Sequence, residues 1–256
     1  MIVDCNANLG NWPFRRMSYN DAEGLIERLG RAGIERAWVT LLDCVMYKNV
    51  HAGNAPLAEM VAHHHDRLMP VGTINPAWPA WERDLTQCAE HLHFRGVRVN
   101  PNYHGWALSD PVFGELLSAA GELGMFVEVT MRMTDERHHH PLVMVPPTDL
   151  SALPAAAAAH PDVPIVVANC KNGEAIALHR KAGELPANLY FEMSHFEGVG
   201  GVKTTADEIG IERVLFGTHA PYFYPESSHL KVFTESELTD AEIAAITHEN
   251  AERLMG

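Results

Sequence analysis

One histidine, two glutamates, two arginines and four asparagines stand at or just past the ends of short apolar runs, and together they suit acid–base chemistry on a small carboxylated molecule. His219 carries an imidazole that titrates near neutrality and can take or give a proton at pH 7. Glu128 and Glu192 are carboxylates able to orient that imidazole, or to act as the base themselves once burial raises their pKa. Arg98 and Arg132 offer guanidinium groups, which bind carboxylates by paired, charge-assisted hydrogen bonds. Lys48 would add a third cation or polarise a carbonyl. Asn6, Asn8, Asn100 and Asn169, with Thr130, supply neutral groups for a substrate carbonyl or a developing oxyanion. Trp12, Tyr103, His104 and Trp106 would wall the pocket. Each residue also has a plainer reading: Glu–Arg pairs as internal salt bridges, Lys48 as a solvated loop lysine, asparagines that merely turn strands into loops, and Trp12 as a plug. His195 follows Ser194 on a strand, where neighbours point apart, so the pair is expected to diverge and His195 to face outward.

What would gather these groups is a barrel. Runs rich in Val, Ile, Phe and Thr predict strands over 2–6, 36–42, 69–75, 96–100, 125–131, 164–169, 189–194 and 213–218. Helical stretches lie between them. One is capped by Ser18 or Asn20 and stops at Gly33; another opens on Asp110-Pro111 and stops near Gly124; further helices fall over 55–65, 81–93, 150–159, 174–182, 204–209 and 239–254. Eight β-then-α units without a break in composition predict one closed parallel (β/α)8 TIM barrel, a single domain over 1–256. Alternation then sends Glu128, Thr130 and Arg132 inward against Val127, Val129 and Met131. It likewise sends Arg98 and Asn100 inward, Glu192 and Ser194 inward, and Asp4, Asn6 and Asn8 to one face. In such barrels chemistry sits where strands end and the next loops begin.

Several segments resemble a known family. Gly96-Val97-Arg98-Val99-Asn100-Pro101 is similar to its fourth-strand G-[VI]-[RK]-x-x-P, and Leu215-Phe216-Gly217-Thr218-His219-Ala220-Pro221 to its eighth-strand L-F-G-[ST]-D-x-P. Ala168-Asn169-Cys170-Lys171-Asn172-Gly173 stands where A-H-x-G-G is usual, and Val3-Asp4-Cys5-Asn6-Ala7-Asn8 keeps the frame of a first-strand H-x-H. The chain thus resembles the amidohydrolase-related group that includes the aminocarboxymuconate semialdehyde decarboxylases. The resemblance implies a metal-centred barrel whose ligand positions fall on Asn6, Asn8, Thr130, Asn169 and His219, where the family has four His and an Asp. Carboxamide oxygen is a hard, neutral ligand and a poor replacement for imidazole. The expectation is therefore no metal and no cofactor, as in the superfamily's metal-independent pyrone-dicarboxylate lactonases. A displaced divalent site drawing on His104, His140, His195 and His219 beside Glu128 competes with it, but no H-x-H spacing supports it.

Composition narrows the rest. The 256 residues are 46% apolar with a net charge of −14, which disfavours nucleic acid and anionic membranes as partners. Four scattered cysteines, no signal-peptide pattern and no apolar run of membrane length predict a cytoplasmic protein with reduced thiols. No nucleophile elbow, phosphate loop or dinucleotide fingerprint is present. The run 63–65 of histidines reads as surface, whereas 138–140 lies on the active side with His140 the best placed to turn inward. The expected function is metal-independent hydrolysis of a small carboxylated lactone or a related C–O or C–N bond. The alternatives are a decarboxylase or hydratase acting on a small carboxylic acid, with or without an unconventional metal, and a catalytically silent barrel that binds a metabolite. A homodimer is expected by analogy with the group.

Overall fold

The structure, a computed structural model, describes residues 1–235 and 237–255. Its strands are β1 (Val3–Leu9), β2 (Arg36–Leu41), β3 (Leu68–Pro70), β4 (Gly72–Thr73), β5 (Gly96–Val99), β6 (Phe126–Thr130), β7 (Ile165–Ala168), β8 (Leu189–Glu192) and β9 (Val214–Leu215). All pair in parallel and in sequence order, β1 to β3 in one ladder and β4 to β9 in the other. β3 and β4 are one barrel strand interrupted at Val71, whose N–H still reaches the Val39 carbonyl at 2.8 Å. The ring is joined between first and last strands by three backbone bonds: Cys5 N to Phe216 O, His219 N to Asn6 O and Asn8 N to Ala220 O, at 2.7–2.8 Å. The fold is the (β/α)8 barrel expected from the alternation of elements.

The strands form because β-branched residues pack on both faces. Val97, Val99, Val127, Val129 and Val167 turn out to meet the helices, and a second buried cluster of Val3, Cys5, Trp38, Val71, Phe126, Val166 and Leu215 fills the lower barrel. Gly96 is required here, because a Cβ would stand 2.3–2.5 Å from the Phe126 ring. Alternation fails at one place. β1 carries an extra residue between Asp4 and Ala7, a bulge that sets Val3 and Cys5 into the lower barrel and separates Asp4 from Asn6 and Asn8. Asp4 instead accepts from Asn6 N, Thr218 N and Thr218 Oγ1, stitching β1 to the last strand.

Helix Ala22–Arg31 is capped by Asp21, whose carboxylate accepts from Gly24 N at 2.7 Å, not by Ser18 or Asn20. Helix Pro111–Glu122 follows Asp110 as expected, and a helix at Pro225–Phe233, with no counterpart in the sequence reading, lies beyond the last strand. Among the described residues no helix is long and apolar enough to cross a membrane.

Candidate active site at the barrel mouth

The strand ends carry two different polar assemblies. The lower one centres on Arg98, which is 1% exposed. Its guanidinium donates to Glu128 through Nε and Nη2 at 2.8 and 2.7 Å, to Asn8 Oδ1 and Thr40 Oγ1 through Nη1 at 3.1 Å each, and to Asn6 Oδ1 through Nη2 at 2.9 Å. All five N–H donors are used. Burial pushes the Glu128 carboxyl pKa up, and the facing Arg98 charge opposes that rise. Asn6 continues the network to Asn169 Oδ1 at 2.7 Å, and Asn169 donates to the Arg132 carbonyl at 2.6 Å. Arg132 is held by Glu174, by Glu136 and by the Asn169 carbonyl.

Above this layer opens a cavity of about 400 Å³, lined by Trp12, Phe14, Arg15, His195, His219, Tyr222 and Phe223 and by the loop after β6. His219 donates from Nε2 to the Met133 carbonyl at 2.9 Å, stacks on Tyr222 at 4.5 Å and lies 5.3 Å, ring to ring, from His195. Burial drives the pKa of His219 down to about 3 and, helped by the neighbouring His219 and Arg132, that of His195 to about 2. Both are neutral imidazoles at pH 7. Asn169 and His219 sit at φ 61° and 55°, a backbone region that residues with a Cβ seldom adopt and that clusters at functional sites.

Unmet hydrogen bonds mark the same end of the barrel. Nine buried side-chain atoms lack a partner among the described residues, and eight belong to Asn100, His104, Trp106, Thr130, His195, His219 and Tyr222, at strand ends or in the loops that follow. Buried polar groups are nearly always paired, so a cluster of orphans at one mouth is where a polar ligand gains most.

The sequence-derived candidates divide accordingly. His219 and Trp12 line the cavity. Asn100 and Thr130 are buried at the neighbouring strand ends with free polar atoms, and His104, pushed down to about 4 by burial, contacts the Val45 carbonyl. Asn6, Asn8 and Asn169 belong to the network beneath. Arg98 does not offer itself to a substrate carboxylate, because Glu128 and three neutral oxygens take every donor. Arg132 is likewise occupied by Glu174 and Glu136. Glu128 and Glu192 lie away from the cavity: the first pairs with Arg98, the second accepts from Asn169 N, Ser194 N and Ser194 Oγ. Lys48 is exposed, 5.9 Å over the Trp78 ring, and does not line the cavity. His140 stacks on Phe14 at the rim. The sequence reading missed Arg15, Tyr222 and Phe223 and sent His195 outward. His195 lies beyond the last residue of β8, where strand parity no longer applies.

Solved structures share this architecture at low identity. A 2,6-dihydroxybenzoate decarboxylase from Rhizobium matches with a TM-score of 0.77 at 17% identity, covering 99% of this chain and 98% of that one. The 5-carboxyvanillate decarboxylase of Novosphingobium aromaticivorans, complexed with manganese and 4-hydroxy-3-methoxy-5-nitrobenzoic acid, matches at 0.78 and 15%, covering 100% and 96%. A dihydroxybenzoic acid decarboxylase from Polaromonas, with bound manganese and the inhibitor 2-nitroresorcinol, matches at 0.77 and 17%, covering 99% and 96%. The manganese in these neighbours overturns the expectation that no cofactor is involved and points to a divalent metal. Three of the five donors at the family's ligand positions do not fit one as they stand, because Arg98 takes the oxygens of Asn6 and Asn8 and Asn6 takes that of Asn169, which leaves the Thr130 hydroxyl and His219 Nδ1 with free atoms. Among the described residues, no three His, Cys, Asp or Glu gather as a metal site either. No curated protein matches the chain. The family model described as Amidohydrolase matches residues 22–256, and the chain belongs to that family.

Proposed function

We propose that the chain is a lyase that removes CO2 from a small hydroxylated aromatic acid. One observation carries this reading. His195 Nε2, His219 Nδ1 and Tyr222 OH are all buried and unpartnered, on residues lining a cavity walled by Trp12, Phe14 and Phe223 and edged by the Arg15 guanidinium. An aromatic ring fills such walls. A ring hydroxyl donates to a bare imidazole nitrogen, Tyr222 donates to an anionic oxygen, and Arg15 binds the carboxylate. The neighbouring decarboxylases act on ligands of this type, which supports the same class here. In the reaction the bond to the carboxylate carbon breaks, its electron pair stays with the ring and CO2 leaves. The ring carbon gains a proton, so acid anion plus proton gives arene plus CO2.

Hydrolysis, the leading expectation from sequence, loses its support at the carboxylates. Glu128 and Glu192, the carboxylates expected to orient His219 or act as the base, do not line the cavity. The test is CO2 release from a panel of hydroxybenzoates including 2,6-dihydroxybenzoate and 5-carboxyvanillate, with and without added manganese. Turnover of at least one acid, with KM raised in Arg15→Ala, is expected. Lactone cleavage without CO2 release, or binding without turnover, would overturn the reading.

A further inference from the structure

Two imidazoles face one cavity, but different partners hold them. The Nε2 proton of His219 goes to the Met133 carbonyl, a neutral acceptor. His195 is linked to a carboxylate through a single hydroxyl: Ser194 Oγ lies 3.0 Å from His195 Nδ1 and 2.9 Å from Glu192 Oε1. Serine has one hydroxyl proton to give, and a carboxylate accepts more strongly than a neutral imidazole. The hydroxyl therefore donates to Glu192, and its lone pairs accept from His195 Nδ1–H and, at 3.4 Å, from Asn6 Nδ2. Glu192 is itself fixed by the N–H groups of Asn169 and Ser194 at 2.5 and 2.9 Å. Gly217 makes room for it, since a Cβ there would stand 2.2 Å from Glu192 Oε2. With Nδ1 protonated, Nε2 is a bare lone pair, and it is one of the unpartnered atoms of the cavity residues.

We infer that Glu192 and Ser194 are positioning residues that lock His195 in its Nδ1–H tautomer, so that Nε2 accepts the substrate's hydroxyl proton and hands it to the carbon that loses CO2. The proton-handling half rests on the decarboxylase reading and on the anionic substrate, whose carboxylate and developing phenolate beside His195 offset the burial that otherwise keeps the imidazole neutral; the tautomer stands on the hydrogen bonds alone. The step balances. The substrate O–H breaks as N–H forms, and the oxygen's electron pair moves into the ring. N–H then breaks as C–H forms at the carboxylated carbon. The C–C bond to the carboxylate breaks, CO2 leaves, and the pair returns to the ring oxygen, which regains a proton from solvent.

Nitrogen-15 NMR of histidine-labelled protein, with His195→Gln to assign the signal, reads the tautomer without reference to activity. Wild type is expected to show a protonated Nδ1 and an unprotonated Nε2, Ser194→Ala a mixture, and Ser194→Thr the wild-type pattern. On the acid that yields CO2, Ser194→Ala is expected to lower kcat about 10- to 100-fold with KM within about twofold, and Ser194→Thr to restore it. A protonated Nε2 in wild type, or no change in Ser194→Ala, overturns the positioning role. A shifted tautomer with unchanged kcat overturns the proton transfer. If no acid yields CO2, the proton-transfer half falls with the decarboxylase reading, and the NMR spectra still decide the positioning half.

Discussion

The Arg98 network and the His195–His219 cavity are neighbours at one barrel mouth, yet they differ in a single respect that separates architecture from chemistry. Around Arg98 every donor has an acceptor, from Glu128, Asn6, Asn8 and Thr40. Around the histidines, buried nitrogens and a phenol are left unmet. A satisfied buried network has nothing to offer a ligand and much to lose from a missing member, whereas an unsatisfied one gains by binding. Residue type does not draw this line; the count of free lone pairs and N–H groups does.

The largest effect that would test the contrast is on stability. Arg98→Met leaves the Glu128 carboxylate buried without its partner, which costs about 3–5 kcal/mol. Urea unfolding should show that loss, and adding Glu128→Gln should recover much of it, because removing both charges relieves the burial penalty. A stable Arg98→Met protein with lost substrate binding would move Arg98 to the functional side. On that side, His195→Gln should lower kcat about 100-fold while stability changes by about 1 kcal/mol or less. Equal losses in both properties would erase the distinction.

Acid should act on the cavity as well. Folded His195 and His219 stay neutral down to about 2 and 3, whereas the unfolded chain protonates them below about 6.5. Each therefore withdraws stability as pH falls through 6.5 towards 3, at about 1.4 kcal/mol per pH unit. Asp4 works the other way: burial raises its pKa to about 6, so between pH 6 and 4 the folded state holds a proton the unfolded state has released. His219→Phe should flatten the stability–pH slope over that range by about 1.4 kcal/mol per unit relative to wild type. An unchanged slope would mean that the folded imidazole already titrates there.

The barrel itself was legible because its signals are local and repeated: Val- and Ile-rich runs at regular spacing, glycine stops, and Asp110-Pro111 opening a helix. Inward-facing polar residues on β5, β6 and β8 also followed from alternation. Function was less legible, because it depends on who pairs with whom. Alternation places Arg98 and Glu128 on one face but does not reveal that they satisfy each other. It misassigns Asp4, where β1 carries an extra residue, and it stops applying at His195. Arg15 and Tyr222 come from loops, which no periodicity describes.

The smallest expected effect compares two cations, Lys48, singled out from sequence, and Arg15, found in the structure. Lys48 is exposed, with its ammonium 5.9 Å from the Trp78 ring, a contact worth about 0.5–1 kcal/mol at most at such a site. Arg15 edges the cavity with its guanidinium 5.9 Å from the Tyr222 ring and acts electrostatically on His219. Lys48→Ala should leave KM within about twofold, whereas Arg15→Ala should raise it about tenfold, the loss of one charge-assisted bond of about 1.4 kcal/mol. Measuring both on the same acid makes the two variants each other's control. If Lys48→Ala raised KM as much as Arg15→Ala, the anion would be held by the general field of the mouth, and the cavity would lose its claim to a dedicated carboxylate anchor.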